Sequence, residues 1–127
     1  MNYSSFANGL KTIIKGIKNL GLKVMINGGA EFLDDMNDEG DPIFADIWAY
    51  HQEEVFTLIE DYDNDIFVSQ EVEDSNYYKE VASMMKNKGK EIFLLEYTKE
   101  QSKINQIKTF CESKNYHYYI SDNVDLI

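Results

Sequence analysis

The stretch KEIFLLEYTKE, residues 90–100, decides the fold. Ile92, Phe93, Leu94 and Leu95 form a continuous apolar run, the pattern of a parallel strand buried on both faces rather than of a strand with one wet side. Gly89 before it stops a helix, and Thr98 after it can cap the next one. The run ends on Glu96. An ionised side chain continuous with a buried strand is costly unless it is paired or solvated. Glu96 is therefore expected at an open rim, where the strand emerges from the core.

On the N-terminal side, Phe6, Leu10, Ile13, Ile14 and Ile17 recur at spacings of three and four with lysines between them, which predicts an amphipathic helix from Ser5 to Asn19, closed by Gly21. LKVMI reads as a strand. It halts at Asn27, Gly28 and Gly29, where adjacent glycines permit a sharp turn or the close approach of a ligand to the backbone. AEFLDDMNDEGDP reads as a short helical turn and an acidic loop that holds the lone Pro42. IFADIWAY, residues 43–50, reads as the second strand, and HQEEVFTLIEDYDND as helix or irregular structure. A helix follows from about Asp74 to Lys88, then the third strand EIFLLEY. A last helix runs from Thr98 to about Lys114, with Ile104, Ile107, Phe110 and Cys111 inward, before YHYYI as the fourth strand. This order predicts an α/β protein: one domain over residues 1–127, with a parallel sheet of about four strands and flanking helices.

The 127 residues, 43% hydrophobic and 13% aromatic, suffice for one core. Twelve basic residues against 23 acidic ones give a formal charge of -11. That charge repels phosphate backbones and anionic bilayers, so neither nucleic acid nor a membrane surface is an expected partner. Amine-bearing partners suit it. The single cysteine excludes an intrachain disulfide framework. The N-terminus lacks a basic leader with an apolar core, and no apolar run approaches the roughly 18–20 residues of a membrane span, so the chain as translated is expected in the cytoplasm. DDMNDEGD and DYDND resemble calcium loops, but Pro42 intrudes in the first and Ile66 takes the glycine position in the second. His51 and His117 are too isolated to pair on a metal. No metal and no organic cofactor is expected.

In parallel α/β folds the C-terminal strand ends share one rim, and ligands bind there. All four expected ends carry an acid: Glu31 after NGG, Glu53 and Glu54 in HQEE, Glu96, and Asp122 after Ser121. An acid in the first turn of a following helix complements its dipole by about 0.3–1 kcal/mol, which accounts for Glu31 and Glu54 as readily as function does. Glu53 and Glu96 lead as catalytic candidates. Paired carboxylates on one rim are what glycoside hydrolysis requires, one protonating the leaving oxygen while the other attacks or activates water. Trp48, Tyr50 and Tyr97 could offer aromatic faces to a sugar.

The segments VMINGGAEF, HQEEVF, YYKEVASMMKNKGKEIFLLEYT and YHYYIS, in this order and spacing, resemble glycoside hydrolase family 114, the endo-α-1,4-polygalactosaminidase group, whose members are similar to (β/α)8 TIM barrels. The resemblance runs from about Leu10 to the C-terminus and corresponds to strands five to eight, the second half of the barrel; a whole barrel takes about 250 residues. It implies Glu53 as a catalytic carboxylate, Glu31 and Glu96 as acids of the cleft, and a galactosamine-containing polysaccharide as substrate. Asn27, Gly28, Gly29, Glu31, His51, Gln52 and Tyr97 form the expected substrate-binding set. His51 stands where relatives commonly carry Asn, and Trp48 where Asp is expected. The family's strand-four Asp would lie upstream, so the expectation includes a missing N-terminal half or a homo-oligomer that covers the exposed edges. A truncated, inactive carbohydrate-binding or folding remnant is the alternative. Members of the family act outside the cell, in contrast to the absence of a leader here.

Overall fold

The computed structural model describes residues 3–127. Four helices, α1 (Tyr3–Asn19), α2 (Ala30–Asp38), α3 (Val72–Asn87) and α4 (Gln101–Lys114), alternate with six strands. Strands β1 (Met25–Asn27), β2 (Ala49–Glu53), β5 (Glu91–Tyr97) and β6 (His117–Ser121) form one sheet in that order. All three pairings are parallel. The remaining two, β3 (Thr57–Asp61) and β4 (Ile66–Ser69), make an antiparallel hairpin. The predicted α/β class and four-stranded parallel sheet with flanking helices are present.

Strands that neighbour one another in chain order, joined by right-handed crossovers, keep their helices on one face. That face holds the core: α3 packs on β2 and β5, α4 on β6, and Ile14, Leu33, Met85, Ile92 and Ile107 are fully buried. Burying such a side chain is worth about 1.5–3 kcal/mol, so this layer dominates the stability. The opposite face, read from the register, carries Met25, Ala49 and Glu91 in one row and Asn27, His51, Phe93 and His117 in the next. Glu53, Leu95 and Tyr119 follow, then Tyr97 and Ser121. No helix covers it. The hairpin shields its upper end, where the rings of Phe67 and Tyr97 meet at 5.8 Å, while Met25 and Tyr119 remain 46% and 54% exposed.

Two expectations require correction. IFADIWAY is not one strand: residues Pro42–Asp46 form a 3₁₀ turn, and β2 begins only at Ala49. The side chain of Asp41 caps that turn by accepting the Ile43 N–H at 2.8 Å, and Pro42 supplies a fixed φ at its first position. HQEEVFTLIEDYDND is neither helix nor irregular, since it supplies the end of β2, all of β3 and the turn into β4. In that turn Asp61 Oδ1 accepts the N–H groups of Asp63 and Asn64, which makes DYDND a hairpin connection. Among the described residues, no helix is long and apolar enough to cross a membrane.

Candidate functional site

Glu96 does not stand at an open rim. It lies on the helix-packed face of β5 and is fully buried. Its Oε1 accepts the Val55 N–H at 2.6 Å and the Phe56 N–H at 3.1 Å. Its Oε2 accepts the Phe56 and Thr57 N–H groups at 3.1 and 3.0 Å and the Thr57 hydroxyl at 2.6 Å. Burial pushes the carboxyl up to about 7, and these donors, which favour the charged form, pull the other way. Both oxygens are committed to the loop between β2 and β3. Glu96 is therefore a clamp on that loop, and the cost of burying its charge is met by hydrogen bonds rather than by water.

Glu53 lies on the other face of the sheet. It pairs in register with Leu95, so its side chain and that of Glu96 leave the sheet in opposite directions. The expected pairing of Glu53 with Glu96 as acid and nucleophile is thereby excluded. Glu53 instead meets Tyr97, whose hydroxyl donates to Oε1 at 2.6 Å. Desolvation first, and Glu53 second, hold the Tyr97 phenol above the ordinary tyrosine range, which keeps it a donor. Glu53 is half-buried. One row below, His51 Nδ1 and Asn27 Oδ1 are hydrogen-bonded at 2.7 Å.

The backbone beside this pair is held in an unusual conformation. Glu54 has φ 58°, a left-handed position for a residue with a β-carbon. Its N–H donates to Leu95 O at 3.0 Å and its Oε2 accepts the Ile59 N–H at 3.0 Å. The amide of Gln70 donates to its carbonyl at 2.9 Å. These contacts fix the departure of the chain from β2 immediately after Glu53.

A cleft of about 370 Å³ opens at the C-terminal ends of β1 and β2, on the helix side. Gly28, Gly29 and Glu31 form one wall, with both glycines at φ 72°. Gln52 forms the floor, its Oε1 accepting from the Tyr50 hydroxyl and its Nε2 donating to Glu53 O at 2.9 Å. The first turns of α3 supply the facing wall through Asp74, Tyr77 and Tyr78. Burial, with Asp34 next to it, pushes the Tyr77 phenol up to about 12. The cleft presents two carboxylates, two phenols and bare glycine backbone, a surface suited to a polyhydroxylated or amine-bearing ligand.

The predicted site residues thus divide three ways. Gly28, Gly29, Glu31 and Gln52 line the cleft; Asn27, His51, Glu53 and Tyr97 share the open face; Glu96 belongs to neither. Of the aromatic candidates, Tyr50 is fully buried on the core side, and Trp48 precedes β2 at the opposite end of the sheet. Asp74, Tyr77 and Tyr78 were not anticipated from the sequence. Both tyrosines are partly buried and pack against the core as well as lining the cleft, so apolar spacing alone gives them no mark as site residues. No family model matches the chain, and no curated protein matches it.

Proposed function

We propose that this chain forms the rim of a glycosidase-type centre acting on amine-bearing, galactosamine-containing polysaccharide, with Glu53 as its catalytic carboxylate. The observation that carries this reading is the Glu53–Tyr97 pair: a half-buried carboxylate at the C-terminal end of a parallel strand, one oxygen fixed at 2.6 Å by a buried phenol. Among the described residues Oε2 accepts no hydrogen bond, so it is the oxygen that can meet an anomeric carbon or a water. The cleft lies across the sheet from Glu53, on the helix side of the same strand ends; with Glu31 and Asp74 beside two tyrosines, it suits the cationic amine and the C–H face of a separate amino-sugar unit of the polymer.

Hydrolysis requires two carboxyl groups about 5–9.5 Å apart, and with Glu96 committed elsewhere, Glu53 is, among the described residues, the one acid at the strand ends of the open face. That observation favours a second reading, carbohydrate binding without turnover. Incubation with α-1,4-linked polygalactosamine distinguishes them. New reducing ends that disappear in Glu53→Gln support the catalytic role; hydrolysis that survives this substitution removes it, and saturable binding without reducing ends leaves the binding module.

A further inference from the structure

We infer that a second copy of this chain covers the β1 edge and the open sheet face, two four-stranded sheets closing into one eight-stranded parallel barrel. The sheet is singly wound, β1-β2-β5-β6, so β1 and β6 are both unpaired edges of parallel strands. Such edges recruit further strands, and eight parallel strands with all helices outside is a closed solution of this geometry. Under two-fold symmetry each β1 pairs with the other copy's β6, which removes all four edges at once.

Helix α1 carries a matching surface. Ala7 and Ile14 face the core, and Lys11, on one flank, donates to Asp41 at 2.8 Å beside the 3₁₀ turn. At 100° per residue, Phe6, Ile13 and Leu20 stand roughly 140–180° from Lys11 about the helix axis. They form a stripe on the flank opposite Lys11, roughly 80–140° from the core-facing Ala7 and Ile14, and are 52%, 59% and 77% exposed. Leu22, Met25, Trp48, Tyr119 and Leu126 are further exposed apolar residues, and a hollow of about 250 Å³ lies on the open face between His51, Phe93, Tyr119 and Leu126. Together the exposed parts of these residues amount to about four large side chains, on the order of 700–800 Å². A specific dimer buries about 800 Å² on each partner, so one further copy meets the requirement.

Closure would also bring a second Glu53 to the same rim, a consequence that rests on the function proposed above; the assembly itself does not. Sedimentation therefore tests it without reference to activity. The 14.8 kDa chain is expected at twice its mass at micromolar concentration, and Ile13→Lys, on an exposed position that folding does not need, is expected to give a monomer with an unchanged circular dichroism spectrum. Edge pairing is read by a Met25→Cys, Tyr119→Cys double variant. Strands β1 and β6 stand about 14 Å apart across the sheet, beyond disulfide reach within one copy, so mild oxidation is expected to give a covalent dimer. A monomer at 100 µM, a dimer that persists in Ile13→Lys, or the absence of crosslinking would each overturn the proposal.

Discussion

Thr57 is clamped between Glu96 and the backbone of β5: its Oγ1 donates to Glu96 Oε2 at 2.6 Å while accepting the Tyr97 N–H at 3.0 Å. The accepted bond fixes the direction of the hydroxyl hydrogen, so the threonine presents a donor to an oxygen that already accepts from the backbone. One carboxylate thereby organises the exit from β2, the start of β3 and the end of β5, and holds the hairpin against the sheet.

Removing the clamp is expected to destabilise the fold severely. Glu96→Ala leaves the Val55, Phe56 and Thr57 N–H groups buried without an acceptor, at about 1–3 kcal/mol for each unsatisfied group. A total loss of about 3 kcal/mol or more is expected in urea denaturation. Thr57→Val deletes one donor and should cost about 1–2 kcal/mol. A fall below 1 kcal/mol for Glu96→Ala would show that the loop finds other partners.

The same group gives stability a pH dependence of definite sign. Glu96 titrates near 7 in the folded protein against an ordinary value of 4.5, so the native state binds its proton more tightly than the unfolded chain. Its contribution is most favourable below pH 4.5 and is lost as pH rises through 7, up to about 3 kcal/mol. Urea midpoints of the wild type should fall between pH 5 and 7.5 relative to those of Glu96→Gln, which lacks the titrating group. Parallel profiles for the two proteins would remove Glu96 as the cause.

Tyr97→Phe separates positioning from folding. The ring keeps its packing against Phe67 and only the bond to Glu53 is lost, so stability should change by about 1 kcal/mol. Where Glu53 acts as proposed, kcat on a polygalactosamine substrate should fall roughly 10-fold or more while KM stays within about twofold, because the phenol fixes the carboxylate rather than the sugar. A loss confined to KM would make Tyr97 a binding group.

The main sheet was readable because its strongest strand announces itself: Ile92–Leu95 is apolar on both faces, a pattern that only a covered parallel strand explains. The helices were readable from the spacing of Ile14, Ile107 and Cys111, all fully buried in the fold. Apolar composition misled in IFAD, where Asp41 and Pro42 impose a 3₁₀ turn that overrides it. Nor was a strand legible at TLIED, which depends on pairing with Ile66–Ser69 rather than on its own pattern. Glu96 was the largest misreading. Sequence marks a charge at a strand end, but the donors that satisfy it come from residues 55–57, about 40 positions away, and no local pattern reports them.

Asp41 offers a test at the opposite end of the pH range. It caps the 3₁₀ turn through the Ile43 N–H and accepts from Lys11 at 2.8 Å, with its side chain only 13% exposed. The Lys11 hydrogen bond first, and the Ile43 N–H second, hold its carboxyl below 3.8. Stability from this group is therefore fully present above that pH and is lost as pH falls through the depressed value. Asp41→Ala should cost about 1–2 kcal/mol at pH 7, the worth of a cap with an added ion pair. Lys11→Met keeps the cap and should cost about half as much. Because Asp41 joins α1 to the turn that leads into β2, Asp41→Ala should also raise amide exchange through the first helix. If exchange in α1 is unchanged while the midpoint falls, the link between the two elements is carried by Ala7 and Ile14 instead.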